Sequence, residues 1–183
     1  MRELLLWIYC MDYSHAILLI LLATFLFLAL FHRFGHRRFW KPAIVCLLLC
    51  WAAAVVSQTI LFRSPLPNIQ LILRPFQSYT DMIQQNNREI LRSNFMNVLL
   101  FYPAGLLIHS ILPSKWNWII RIGIVFFLSS AASICIEYFQ YTRLLGLVQT
   151  DDVIHNVLGG VIGACSLNLS KLYIAVYEKI KRK

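Results

Sequence analysis

Charge is scarce in this sequence. Only 14% of its 183 residues are Asp, Glu, Lys or Arg, where a soluble domain carries about a quarter. Acids are scarcer than bases, eight against 17. There is no nucleophile elbow, no Gly-rich phosphate loop and no zinc-ligand spacing of His and Cys. An arginine–serine–histidine pattern of the phosphatidate-phosphatase type is also missing. These absences remove the common signatures of hydrolytic, nucleotide-dependent and metal-dependent chemistry, so neither metal nor cofactor is expected. No internal repeat suggests the inverted symmetry common among transporters. A cleavable signal peptide is not expected either. Glu3 and Asp12 interrupt Met1–Tyr13, and no small-residue cleavage site follows. That stretch either extends the first helix or lies at the membrane interface.

Apolar residues fill the space that charge leaves. They make up 59% of the chain, the mean hydropathy is +0.65, and they fall in blocks rather than in amphipathic stripes. A block of roughly 18 residues or more crosses a ~30 Å hydrocarbon core as a helix, the form that satisfies its own backbone groups in lipid. Five such blocks predict an all-α, five-span membrane domain occupying residues 1–183. They are Ala16–Phe34, Pro42–Phe62, Phe95–Leu112, Ile119–Ile136 and Val153–Val176. Cys10, Cys46, Cys50, Cys135 and Cys165 mostly sit inside these blocks and read as small apolar side chains.

The charges that exist are sorted by side. With five spans, one side carries Arg33, Arg37, Arg38, Lys41, Lys115, Arg121, Lys171, Lys179, Lys181, Arg182 and Lys183 against the single acid Glu178. The other carries Arg2, Arg63, Arg74, Arg88, Arg92 and Arg143 against Glu3, Asp12, Asp81, Glu89, Glu137, Asp151 and Asp152. Basic excess marks the cytoplasmic side, which predicts an outside N-terminus and an inside C-terminus. The clusters His32–Lys41 and Lys179–Lys183 then serve as topology signals that attract anionic lipids. No stacking module or reader motif accompanies them, so nucleic acid is not an expected partner. The long segment Arg63–Ser93 falls outside. Its prolines at 65, 67 and 75 and its apolar Ile69–Leu73 and Phe76 predict that it folds back onto the mouth of the bundle, as a re-entrant or interfacial stretch.

Three predicted helices carry polar pairs at helical spacing toward that outer end. Asn94 and Asn97 begin the third. Glu137 and Gln140 end the fourth, with Arg143 a turn further. Asp152 and Asn156 begin the fifth, with Asp151 and His155 on an adjacent stripe. Each pair shares a helix face. Charged and amide groups at such positions are expensive unless they pair or meet water. Two readings stay open here: a ligand-facing site, or ion pairs such as Glu137–Arg143 and Asp152 with Arg63 or Arg74 that lock the bundle. Asp151, Asp152, Glu137 and His155 include hard-metal donors but match no known ligand spacing. His15, His32, His36 and His109 have no carboxylate at helical spacing and are expected at the interface. Pro103 is expected to bend the third helix. Gly159, Gly160, Gly163 and Ala164 are expected to bring a neighbouring helix close to the fifth.

From about Arg63 to Gly163 these residues resemble the VanZ-like family. The strongest pieces are Asn97-Val-Leu-Leu-Phe-Tyr-Pro-Ala-Gly105, Glu137-Tyr-Phe-Gln140 with Arg143, and Asp151-Asp-Val-Ile-His-Asn156-Val-Leu-Gly-Gly160. The segment Arg74-Pro-Phe76 is similar to the family's stretch between helices two and three, but Arg74 stands where an apolar residue is common. His155 stands at a variable position. The resemblance implies a bacterial multi-pass protein of the cytoplasmic membrane. The family's named member is associated with low-level resistance to teicoplanin, a lipoglycopeptide. Its motif positions correspond here to Asn94, Asn97, Pro103, Gly105, Glu137, Gln140, Arg143, Asp152, Asn156 and Gly159.

The functional expectation is an envelope protein binding a lipid-linked or amphiphilic ligand, a lipid-linked envelope precursor or a lipoglycopeptide among them, beside membrane lipids. Its candidate ligand-binding residues are Arg63, Arg74, Asn94, Asn97, Glu137, Gln140, Arg143, Asp152 and Asn156. The runner-up is an enzyme acting on a lipid-linked phosphate or sugar, with Glu137 and Asp152 as acid and base. A small-solute transporter is third.

Overall fold

The computed structural model describes residues 13–34, 38–65 and 67–181, with side chains from Leu22 onward. Expectations about residues 1–12, including Cys10, and about His36, Arg37, Arg182 and Lys183 fall outside the described residues, as does that for the His15 side chain. The chain divides into two units, Met1–Trp40 and Lys41–Lys183. In the first, helix α1 spans Tyr13–Phe34. Its Phe27 and Phe31 lie 5.9 and 6.2 Å from the Trp40 ring.

Helix α2 (Trp40–Val56) lies in the second unit from Lys41 onward and passes into a π-helical turn (Ser57–Leu61), followed by strand β1 (Gln70–Ile72). Helices α3 (Gln77–Gln85), α4 (Arg88–Ile111) and α5 (Trp118–Thr142) follow, then strand β2 (Leu147–Gln149) and α6 (Thr150–Lys181). Four helices are long and apolar enough to cross a membrane: Trp40–Leu61, Arg88–Ile111, Trp118–Thr142 and Thr150–Lys181. The described apolar part of α1, Leu22–Phe34, is shorter. The chain is therefore a multi-pass membrane protein, dominated by helix.

The helices outrun the apolar blocks that announced them. α4 begins at Arg88 rather than Phe95, and α5 continues to Thr142 rather than Ile136. Hydropathy marks the lipid-embedded part of a helix, whereas its ends are set by caps. Asn87 Oδ1 accepts from Glu89 N at 3.0 Å to start α4, and Asn117 Oδ1 accepts from Ile119 N at 3.0 Å to start α5. The segment 63–93 is likewise not a plain loop. β1 pairs in parallel with β2 in the register Gln70↔Leu147, Leu71↔Val148, Ile72↔Gln149.

α4 and α6 meet backbone to backbone. A Cβ on Gly159 would overlap the Val98 carbonyl, one on Gly163 the Tyr102 carbonyl, and one on Gly105 the Gly160 carbonyl. Gly160 itself gives its space to Ser129 on α5. The small residues thus allow an approach that any side chain would forbid. α4 stays helical through Pro103, whose missing N–H removes a bond to the Leu99 carbonyl. At the adjoining carbonyl, Leu100 O, Trp51 Nε1 donates at 2.7 Å. Trp51 also meets Phe101 edge-on, 5.5 Å between ring centres. Phe101, Val55 and Ile136 form the buried apolar cluster where α2, α4 and α5 converge.

Candidate functional site

Asp151 organises the end of the bundle where 63–93 folds back. It sits in the first turn of α6 and is 1% exposed. Its carboxylate accepts from the backbone N–H of Phe76 and, at 2.8 Å, from that of Ser78. These are donors at the start of α3, a helix with no side-chain cap of its own. A carboxylate at the N-termini of two helices is favoured by both dipoles. It also holds Phe76 in the left-handed region, φ 62°, a conformation costly for a bulky residue. One turn on, His155 Nε2 meets the Tyr79 hydroxyl at 2.7 Å, and Thr150 Oγ1 donates to the Leu73 carbonyl at 3.1 Å. The stripe Asp151–His155 is thus the dock for β1 and α3.

The other acidic stripe faces the helices. Asp152 Oδ1 accepts from Asn97 Nδ2 at 2.7 Å. Glu137, 8% exposed, accepts from the backbone N–H of Gln149 at 3.2 Å. The two carboxylates are close enough for their charges to interact, and the charge of Arg63 reaches both. Among the described residues neither carboxylate has a basic side chain within the 4.0 Å of an ion pair. The Glu137–Arg143 and Asp152–Arg63 or Asp152–Arg74 locks are therefore not formed. Arg63, Arg74 and Arg143 are exposed, without side-chain hydrogen bonds among the described residues. Arg143 follows α5 as its C-cap. Arg63 lies beside the turn at Gly146, where an added Cβ would stand 3.8 Å from its Nη1.

The remaining amides are buried one by one. Gln140 Nε2 donates to the Thr59 carbonyl in the π-helical turn at 3.1 Å, Asn94 Nδ2 to Ser78 Oγ at 3.0 Å, and Asn156 Nδ2 to Ser133 Oγ at 2.8 Å. In all three the amide oxygen is buried and unpartnered: Asn94 Oδ1, Gln140 Oε1 and Asn156 Oδ1. A cavity of about 260 Å³ lies at this end, lined in part by Ser78, Asn94, Gln149, Asp81 and Glu89. The structure thus joins Asn97 to Asp152 and brings Glu137 near them. Asn156 and Gln140 have separate partners. Among the described residues no three His, Cys, Asp or Glu side chains group as metal ligands.

Several participants escaped sequence reasoning. Sequence places Asp151 on a stripe with His155 and among the possible metal donors but gives no sign of its capping role, and Ser78, Tyr79, Thr59 and Ser133 carry no signal of their own. His109, expected at the interface, is fully buried, because Asn168 on α6 supplies the polar partner, at 3.1 Å, that its own helix lacks.

Comparison with curated proteins and with solved structures finds no match. The family model described as VanZ/LLP1 matches residues 16–171. That range contains every residue of the polar end just described, and the chain belongs to the VanZ/LLP1 family.

Proposed function

We propose that the polar end of the bundle binds a lipid-linked or amphiphilic molecule carrying hydroxyl or amine groups and an anionic group, at the outer face of a bacterial cytoplasmic membrane. One observation carries this reading: among the described residues, two interacting buried or half-buried carboxylates have no ion-pair partner, and three buried amide oxygens beside them have no hydrogen-bond partner. Buried acceptors left unsatisfied each cost about 1–3 kcal/mol, and a ligand's O–H or N–H groups would relieve that penalty. Around them Arg63, Arg74 and Arg143 stand exposed, with guanidinium forks suited to phosphate or carboxylate. Leu71, Leu73 and Phe76 are exposed beside them and offer apolar surface to a lipid tail. Family membership supports an envelope role, with glycopeptide (teicoplanin) resistance or envelope homeostasis as its setting.

Mass spectrometry of lipids co-purifying with wild type, Glu137→Gln and Asp152→Asn tests this reading. The expected result is one lipid class lost from both variants while abundance and melting temperature hold. Identical lipid profiles would sink it, and a fall in abundance alone would mark a structural network instead. For the orientation, Gln84→Cys should react with an impermeant thiol reagent from outside, and Lys115→Cys should not. Both positions are exposed, and the background would lack native cysteines.

The enzymatic alternative draws on the unlike surroundings of the two carboxylates. Glu137 is buried against a backbone N–H, and Asp152 is half-buried against an amide. Such asymmetry can separate an acid from a base. Turnover of a lipid-linked phosphate or sugar by the purified protein, abolished in both variants, would favour it.

A further inference from the structure

The cavity of about 260 Å³ at the polar end lies where the β1–β2 ladder, α3 and the first turns of α4 meet. Among the described residues that line it two are charged, and both are acids: Asp81 on α3 and Glu89 on α4. Asp81 is held by a neutral group, accepting from Gln77 Nε2 at 2.7 Å. Glu89 meets Arg92 at 3.5 Å, a pair open to solvent and therefore weak. Two acids alone would be an ordinary solvated face. The inner wall adds a second signal. Asn94 lines the cavity and is 3% exposed. Its Nδ2 is spent on Ser78 Oγ, while its Oδ1 is buried with no hydrogen-bond partner, a costly state unless a donor reaches it.

The shape and lining restrict what fits. The volume lies below the ~300 Å³ at which whole small-molecule sites begin, so the cavity takes one group of a larger ligand. A negative wall with a free acceptor calls for a cation that carries N–H donors. Aromatic cages hold quaternary ammonium groups, and no aromatic ring lines this cavity among the described residues. A bare divalent cation needs about six or more oxygens closed around it at roughly 2.0–2.6 Å, a far tighter enclosure than this one. A primary ammonium meets every condition.

The cavity is joined to the carboxylate pair. Gln149 lines it, and the Gln149 N–H donates to Glu137. Asn94 stands three residues before Asn97, on one face of α4, and Asn97 donates to Asp152. Leu147 of the wall follows Gly146, beside which the Arg63 guanidinium lies.

Resting on the reading of the polar end as an amphiphile site, we propose that this cavity receives the primary ammonium of that amphiphile. Asp81 and Glu89 supply the opposite charge, Asn94 Oδ1 accepts an N–H, and Arg63 meets the anionic group. An aminophospholipid headgroup carries both groups in one unit. A soluble amine would fill the cavity but leave unused the exposed Leu71 and Leu73 that flank Ile72 of its wall.

Native mass spectrometry and melting curves of delipidated protein test the proposal, with phosphatidylethanolamine, phosphatidylcholine and free ethanolamine added separately. Phosphatidylethanolamine should be retained one to one and raise the melting temperature. Phosphatidylcholine should bind at least tenfold more weakly, and free ethanolamine should have no effect. The double variant Asp81→Asn, Glu89→Gln conserves size at positions that are at least partly exposed, so the lipid-free protein should melt as wild type does. Its retention of phosphatidylethanolamine should fall about tenfold, to the level of phosphatidylcholine. Glu137→Gln, which probes the amphiphile site itself, should lower retention of both lipids alike. Retention that responds to Glu137→Gln but not to the double variant, or that shows no preference for the primary amine, would overturn this proposal and leave the amphiphile reading standing. Failure of any lipid to bind would overturn both. Stabilisation by free ethanolamine alone would overturn the amphiphile as the source of the amine.

Discussion

The two ends of α6 solve the same physical problem in opposite senses. At its start, Asp151, Asp152 and the neighbouring Glu137 are held by backbone N–H groups and an amide, and the unpartnered atoms around them include three amide oxygens. Toward its other end, Arg121 is held by a carbonyl, and nitrogen donors of Arg121 and Asn168 are unpartnered. Among the described residues, neither Arg121 nor the Glu137 and Asp152 carboxylates form an ion pair. Neutral dipoles keep a charged group in place without cancelling it, so each end retains an unmet demand of defined sign. An ion-pair lock would have removed that demand. The comparison teaches that buried charge held by dipoles fixes the chemistry each end can accept, donors at the start of α6 and acceptors toward its other end.

The variant expected to act most strongly strikes what the two ends share. Gly159→Leu or Gly163→Leu would drive a side chain into the backbone of α4 and should cost about 3 kcal/mol. Both ends should fail together, read as a lower melting temperature with loss of the co-purifying lipid. Normal stability in both variants would show that the ends do not depend on this seam.

Next in size, Asp151→Asn should cost about 2 kcal/mol, since one charged acceptor serves two buried N–H groups. Hydrogen exchange should accelerate across Gln77–Gln85, whereas Asp152→Asn should leave that helix protected. Equal acceleration in both would break the division between a docking stripe and a ligand stripe.

Asn156→Leu sharpens the comparison at smaller cost. It removes an unpartnered buried oxygen along with one hydrogen bond to Ser133, so stability should change by about 1 kcal/mol or less. Ligand at the polar end should be lost nonetheless, read by mass spectrometry of the co-purifying lipid. The smallest effect is expected for Cys46→Ala and Cys50→Ala. Both thiols are exposed on α2, and changes of about 0.5 kcal/mol or less would supply the baseline for the other variants.

What the sequence disclosed followed from interactions local in the chain. Long apolar blocks located four crossing helices, and helical spacing put Asn97 and Asp152 on faces that do meet. Small residues at 159, 160 and 163 announced a close approach that the α4–α6 seam and the Gly160–Ser129 contact realise. What stayed hidden depends on partners distant in sequence. Three-residue strands are too short to show alternation, and the polar helix Gln77–Gln85 forms where Asp151 caps it from 73 or more residues away. Arg121 counted correctly as a basic residue near a helix start, but charge patterning reports a side and never a depth. Its burial depends on where α4 ends, as that of His109 depends on Asn168.

The length of α6 has a mechanical consequence. Its 32 residues extend about 48 Å, against a hydrocarbon core of ~30 Å. To fit wholly within that thickness the helix would have to lean by about 50°, beyond the roughly 40° limit of transmembrane tilts. At least one end must therefore reach beyond the hydrocarbon core; toward the C-terminal end Tyr173 and Tyr177 stack with ring centres 6.5 Å apart. The depth of Lys171 is then set by bilayer thickness as well as by protein packing. A thicker membrane would draw that lysine inward and a thinner one would release it, making the helix a gauge of the bilayer it crosses.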